Sequence, residues 1–177
     1  ERALTSWVLL DVSPSMRFGT ADRRKWDVAE GVAVALGHLA SRRGNRIGVT
    51  TFGGNESVLL RPRQGRVGLL GVLLTVRREP ETERVGPTSI GTALMQVARV
   101  ARQRSLAVVV SDFRGPRDWR SAMIRIAARH AVVAVATPST TAETAEIVRA
   151  ARELGLRIAP QGSAHNAGPL GSLDDTL

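Results

Sequence analysis

Short, wholly apolar runs alternate along this chain with stripes of helical period, and that alternation restricts the fold more than any other feature. Trp7-Val8-Leu9-Leu10 ends at Asp11, and Leu106-Ala107-Val108-Val109-Val110 ends at Ser111-Asp112. A strand that is apolar on both sides of its pleat has to be covered on both faces. Between two such runs, Trp26, Ala29, Ala33, Leu36 and Ala40 recur at three- and four-residue steps, with Asp27, Glu30, His38 and Ser41 opposite them. The same reading predicts strands at 46–52 and 57–60, joined as a hairpin through Gly53-Gly54-Asn55, and a helix marked by Leu69, Leu70, Leu73 and Leu74. Further on it predicts a helix carrying Ile90, Ala93, Leu94, Val97 and Ala101, a helix over 119–128, a strand over 131–136, a helix over 142–154 and a last strand over 156–159. The expected fold is a Rossmann-like three-layer α/β sandwich: a mostly parallel sheet with one antiparallel hairpin strand and helices on both faces. It occupies residues 1–160 as one domain, with 161–177, rich in Gly, Ser and Asn, as a flexible tail. The opening Glu1-Arg2-Ala3, without an initiator Met, reads as the start of a domain excised from a longer chain.

Composition removes several classes of function. The 177 residues hold no cysteine, which excludes disulfide scaffolds, thiolate zinc sites and cysteine nucleophiles. The net charge of +9 comes almost wholly from Arg, with Lys25 the only lysine, as a GC-rich coding bias would produce. Arg is spread from Arg2 to Arg157, aromatics are 3% and Tyr is missing, so the chain lacks the basic stripe with stacking rings of a dedicated nucleic-acid reader. No apolar run approaches the roughly 18 residues of a membrane span. The expected location is cytoplasmic, with any membrane tether in segments outside this chain.

Sheets of this kind bind ligands outside the carboxyl ends of their strands. Three polar motifs fall there. Asp11-Val12-Ser13-Pro14-Ser15-Met16 follows the first strand and puts one carboxylate and two hydroxyls on a common side. Gly86-Pro87-Thr88-Ser89-Ile90-Gly91-Thr92 opens the third main helix, and Ser111-Asp112-Phe113 closes the most apolar strand. Taken singly, each is a turn or a helix cap. Together they offer only oxygen ligands, two of them charged, which suits a hard cation such as Mg²⁺ and disfavours zinc.

Asp11-x-Ser13-x-Ser15, Thr88 and Asp112, in that order, resemble the metal-ion-dependent adhesion site of von Willebrand factor A domains. More narrowly the chain is similar to bacterial domain-of-unknown-function family 58, on Leu9-Leu10-Asp11-Val12-Ser13-Pro14-Ser15-Met16, Arg43-Gly44-Asn45-Arg46-Ile47-Gly48-Val49, Arg61-Pro62-Arg63-Gln64-Gly65 and Val110-Ser111-Asp112-Phe113, with Ala128-Arg129-His130 before a strand. The resemblance implies that Ser13, Ser15 and Thr88 bind Mg²⁺ or Mn²⁺ through hydroxyl oxygens, and that Asp11 and Asp112 act mostly through bridging waters. A sixth position would stay open for a carboxylate from a partner protein. Two carboxylates leave the ion poorly neutralised, which favours an acidic ligand. The resemblance also implies a MoxR-type AAA+ ATPase as partner, in a chaperone or assembly role. Arg17, Arg23, Arg24, Arg84, Arg114 and Arg117 leave the same sheet edge and are expected to form a basic rim that steers the acidic partner. One segment departs from the family pattern: after the fifth strand, Thr137-Pro138-Ser139-Thr140-Thr141 carries no acid before Glu143.

Enzymatic readings fare less well. An aspartyl phosphotransferase or phosphatase of the haloacid-dehalogenase type would use Asp11, but it needs a second acid two residues on, where Ser13 stands. A receiver domain lacks its acidic pair. His38, His130 and His165 are too scattered for a Ser-His-acid triad, and G-x-x-x-x-G-K-[ST] is missing. The chain is therefore expected to be a non-catalytic interaction module. The phosphotransferase and a basic nucleic-acid-binding domain are the alternatives.

Overall fold

The computed structural model describes residues 3–19, 23–42, 44–78, 80, 89–138 and 140–153. Among these, five strands appear: β1 (Thr5–Asp11), β2 (Arg46–Phe52), β3 (Leu59–Gln64), β4 (Leu106–Ser111) and β5 (Ala131–Ala136). They form one sheet in the order β3-β2-β1-β4-β5. Only the β2–β3 pair is antiparallel; β1 pairs in parallel with both β2 and β4, and β4 with β5. The helices are α1 (Lys25–Arg42), α2 (Gly65–Val76), α3 (Ile90–Val100), α4 (Trp119–Ala127) and α5 (Thr141–Glu153), with a 3-10 turn at Pro14–Arg17.

Successive residues of β1 point to opposite faces, and two separate cores follow from that alternation. Trp7 and Leu9 pack with Ala107 and Val109 against Ile90, Leu94 and Val97 of α3 and Trp119, Met123 and Ile126 of α4. Val8 and Leu10 pack with Val49, Val108 and Val110 against Trp26, Ala29 and Ala33 of α1 and Val72 and Val76 of α2. This is the three-layer arrangement that the alternation of strand and helix signals implies. It leaves β1 and β4 buried on both sides.

Two parts differ from the sequence reading. The third strand runs over 59–64 rather than 57–60, because β2 is long enough to recruit Arg61–Gln64 as partners. Leu60, Arg61, Arg63 and Gln64 are exposed, so this edge strand needs no apolar code. Pro62 sits within it beside a register shift between Ile47 and Val49. In α2, Val72 and Val76 are buried while Leu70 and Leu74 face outward, so the leucines mark the helix but not its inner face. The strand expected at 156–159 and the tail at 161–177 lie outside the described residues. No helix among the described residues is long and apolar enough to cross a membrane.

The elements end where their residues dictate. Asp27 caps α1 by accepting the Arg24 backbone N–H through Oδ2 (2.8 Å), and Gly44 (φ +64) turns the chain out of it toward β2. The backbone bond at Arg24 is the main cause that holds the Asp27 carboxyl below its ordinary range.

Candidate functional site

Strand order reverses direction at β1. From β1 the chain passes to β2 and β3 on one side, then crosses back to β4 and β5 on the other. The crevice outside the carboxyl ends of β1 and β4 is therefore the topological switch point, where open α/β sheets place their ligands. Asp11 ends β1 and Asp112 follows β4, so the two carboxylates flank that crevice.

Asp11 is fully buried, with both carboxylate oxygens engaged. Oδ1 accepts the Ser13 backbone N–H (2.9 Å), and Oδ2 accepts the Ser111 hydroxyl (2.5 Å), which ties the ends of β1 and β4 together. Burial pushes its carboxyl above the ordinary carboxylate range, against the hydrogen bonds from Ser111 and Ser13 and with a smaller push from the Asp112 charge. The Asp11–Ser13 turn fits only because the neighbour on β2's side is glycine. Gly53 sits at φ +85, and a Cβ there would lie 2.7 Å from Asp11 Oδ1 and 3.0 Å from the Ser13 nitrogen.

The turn brings the Ser13 and Ser15 hydroxyls together as a hydrogen-bonded pair, Oγ to Oγ 3.0 Å. Two adjacent ligands of an octahedral ion bonded at about 2.0–2.1 Å stand about 2.9 Å apart, so this hydroxyl pair fits one edge of a Mg²⁺ shell. Asp11, its oxygens turned to Ser13 and Ser111, would act behind such a pair rather than as a ligand itself. Thr88, expected to add the third hydroxyl, lies outside the described residues, as does Arg84. Its neighbour Ser89 caps α3, accepting the Thr92 N–H (3.0 Å) and donating to Asp118 (2.5 Å). Among the described residues no group of three or more His, Cys, Asp or Glu side chains gathers as a metal cluster.

Asp112 has a partner that the sequence did not announce. Its Oδ1 accepts the Arg114 backbone N–H (3.2 Å), and its Oδ2 lies 2.7 Å from the Nζ of Lys25. The two side chains are 3% and 1% exposed, so this is a buried ion pair. Glu143 of α5 adds Oε2 at 3.9 Å from the same Nζ and pairs through Oε1 with Arg114, whose Nε is 4.0 Å from Asp112. Lys25, Asp112, Arg114 and Glu143 thus close a ring of alternating charge across α1, the β4 end and α5. Phe113, between the ring's two members on that loop, holds a positive φ of 56, uncommon for a residue with a side chain. Its ring packs edge-on to Trp119 at 5.5 Å, which helps to hold the loop in that shape.

The six arginines of the expected rim are not equivalent. Arg17 is half-buried and donates to the Pro80 carbonyl (3.0 Å); Arg24 pairs with Asp27 (3.0 Å); Arg114 and Arg117 pair with Glu143 and Glu146 of α5. Arg23 is exposed. Sequence reasoning gave no role to Lys25 or Glu143 and quoted Ser111 only as part of its motif. The one available signal was that Lys25 stands alone among 25 basic residues.

Fold and site together define a class: an α/β domain with an oxygen-rich, partly charged crevice at its switch point. The chain belongs to the family described as "Protein of unknown function DUF58", which matches residues 1–145. Uncharacterized proteins of Mycobacterium tuberculosis and Mycobacterium bovis are each 35% identical to it over 135 residues, 76% of this chain and 43% of theirs. The chain thus spans less than half the length of these relatives. Among solved structures, the fold is similar to BatB from Bacteroides thetaiotaomicron (15% identity, TM-score 0.62, 76% of this chain and 66% of that one). It is also similar to an aerotolerance-related membrane protein from Bacteroides fragilis (17% identity, TM-score 0.61, 76% and 67%).

Proposed function

We propose that this domain is a non-catalytic protein-interaction module that takes up an acidic residue of a partner through a divalent cation, Mg²⁺ or Mn²⁺. Ser13, Ser15 and Thr88 would hold the ion, with Asp11 and Asp112 behind them through waters. The observation that carries the reading is the Ser13–Ser15 hydroxyl pair, 3.0 Å apart on a turn anchored by the buried Asp11. A bound cation would supply a Lewis-acidic docking point for a carboxylate. The protein's own part is to fix the hydroxyls, to keep Asp11 from rotating, and to present basic side chains around the crevice. Arg17, Arg23, Arg24, Arg84, Arg114 and Arg117 form that rim in this reading, and they act on the rate of encounter more than on the final affinity. Family resemblance adds a MoxR-type AAA+ ATPase as the candidate partner.

The phosphotransferase alternative is disfavoured by the state of Asp11. A nucleophilic carboxylate needs a free oxygen facing substrate, and both oxygens of this one are hydrogen-bonded and enclosed. The test is titration calorimetry with MgCl₂ and MnCl₂ on the natural chain and on Ser13→Ala and Ser15→Ala. Saturable binding that either substitution weakens strongly supports the reading. Equal binding by all three proteins removes the site assignment.

A further inference from the structure

Lys25 is a strange neighbour for a cation site. Its ammonium sits 2.7 Å from Asp112 Oδ2, the one oxygen of that carboxylate not engaged by the backbone of its own loop. Its position is built in rather than incidental: the Lys25 backbone N–H donates to the Phe18 carbonyl (2.9 Å), and the adjacent Gly19 and Arg24 form an isolated bridge. The first residue of α1 is therefore clamped to the end of the loop that carries Ser13 and Ser15. The residue type matters as well. In a chain that uses arginine at every other basic position, the one lysine stands here. An ammonium is a compact point charge, whereas a guanidinium is a wide planar fork. Of the two, the compact group is closer in size and charge density to a small hard cation.

We propose that Lys25 is a tethered counter-ion that competes with the divalent cation for Asp112, so that metal uptake requires the ammonium to leave that carboxylate. The proposal rests on the metal-dependent reading above and adds a regulatory device to it. In the pair described above, Lys25 neutralises the Asp112 charge that an ion would otherwise meet. A divalent ion drawn toward Asp112, even through a water, repels the ammonium beside it, and the lysine turns toward Glu143, whose Oε2 is already 3.9 Å from its Nζ. Glu143 is thus the alternative seat for the ammonium. The segment after β5, which lacks the acidic motif expected there, supplies through Glu143 the acid that this exchange needs.

The experiment uses the fact that the chain has a single lysine. Growth with ε-¹³C-lysine gives one side-chain NMR signal, followed while MgCl₂ is added to the unsubstituted 177-residue chain. Displacement predicts a saturable shift of that signal with the same midpoint as calorimetric binding. A signal that stays fixed while Mg²⁺ binds overturns the proposal. Lys25→Met, which removes the charge and keeps the stem, should bind Mg²⁺ about ten-fold tighter or more, within the usual range of coupling between sites. Lys25→Arg should stay as weak as the natural chain or weaker. Met binding equal to or weaker than the natural protein would show that Lys25 only positions Asp112, and the competition idea would fall while the metal reading stood. Absence of Mg²⁺ and Mn²⁺ binding in both the natural chain and Lys25→Met would instead overturn the metal reading, and this proposal with it. Should Lys25→Met fail to fold, the lysine signal of the natural chain decides alone.

Discussion

At the scale of single residues, the crevice depends on groups that are costly to alter. Gly53→Ala would place a methyl against Asp11 Oδ1 and force a side chain into φ +85. The expected loss is about 1–3 kcal/mol, the usual cost of holding a residue in such a region, read as a lower urea midpoint. Removing Lys25 in the absence of metal leaves Asp112 buried without its partner, a change that costs about 3–5 kcal/mol when a buried pair is broken. A different pH effect belongs to His130, at the far end of the sheet. Its Nδ1 is 2.8 Å from the Ser105 hydroxyl, and burial, with a smaller push from Arg129, holds its pKa below the ordinary histidine value. The unfolded chain then takes up the proton first as pH falls. Stability contributed by neutral His130 is therefore full above about pH 6.5 and declines below it. Denaturant midpoints at pH 7.5 and 5.5 should differ less in His130→Gln than in the natural protein. The motifs around Asp11, Ser13, Ser15 and Asp112 were legible in sequence because each motif begins where an apolar run ends. Lys25 was not, because its partner is 87 residues away and only the fold brings them together.

Among the elements, α5 is held differently from the rest. It has no buried residues, and Glu143, Glu146 and Glu153 reach Arg114, Arg117 and Arg120 instead. In each pair the arginine is at least partly exposed, and pairs open to solvent contribute little each and are screened by salt. Amide exchange in α5 should therefore quicken between low and roughly 0.5 M NaCl, where screening is strong, while α1 and α3, with their buried apolar faces, change little. Equal responses in all three helices would show that α5 is held by packing after all. Charge reversal at Arg114 or Arg117 now has two consequences, since it changes the rim and also frees an end of α5. The helices with buried stripes were readable from their period, because burial of one face requires that period. The edge strand β3 and the pairings of α5 were not readable, because a solvated strand and a charge-docked helix place few demands on apolar spacing.

For the molecule as a whole, the layered core and the charge distribution act independently. The two apolar layers lie on opposite faces of the sheet and meet through the alternate side chains of its strands, β1 and β4 above all, away from the polar rim. A net charge of +9 gives a general attraction to polyanions that owes nothing to the crevice. Retention on heparin or duplex DNA should fall steeply with salt, and should be unchanged by chelator or by Ser13→Ala. Tight, sequence-selective DNA binding at physiological salt would instead favour the nucleic-acid alternative.

The irregular pairing of β2 with β3 also governs how copies of this domain can meet. Opposite the register shift, Gly48 has no room for a side chain: a Cβ would lie 2.8 Å from the Leu60 carbonyl oxygen and 3.0 Å from the Pro62 ring. Pro62 has no N–H to offer a further strand, and Arg61 and Arg63 set like charges along the same border. That border is poorly suited to pairing with another backbone, which disfavours ribbons of stacked sheets growing from it. Crowding many copies together on one surface would therefore give them little help in building a fibre through β3.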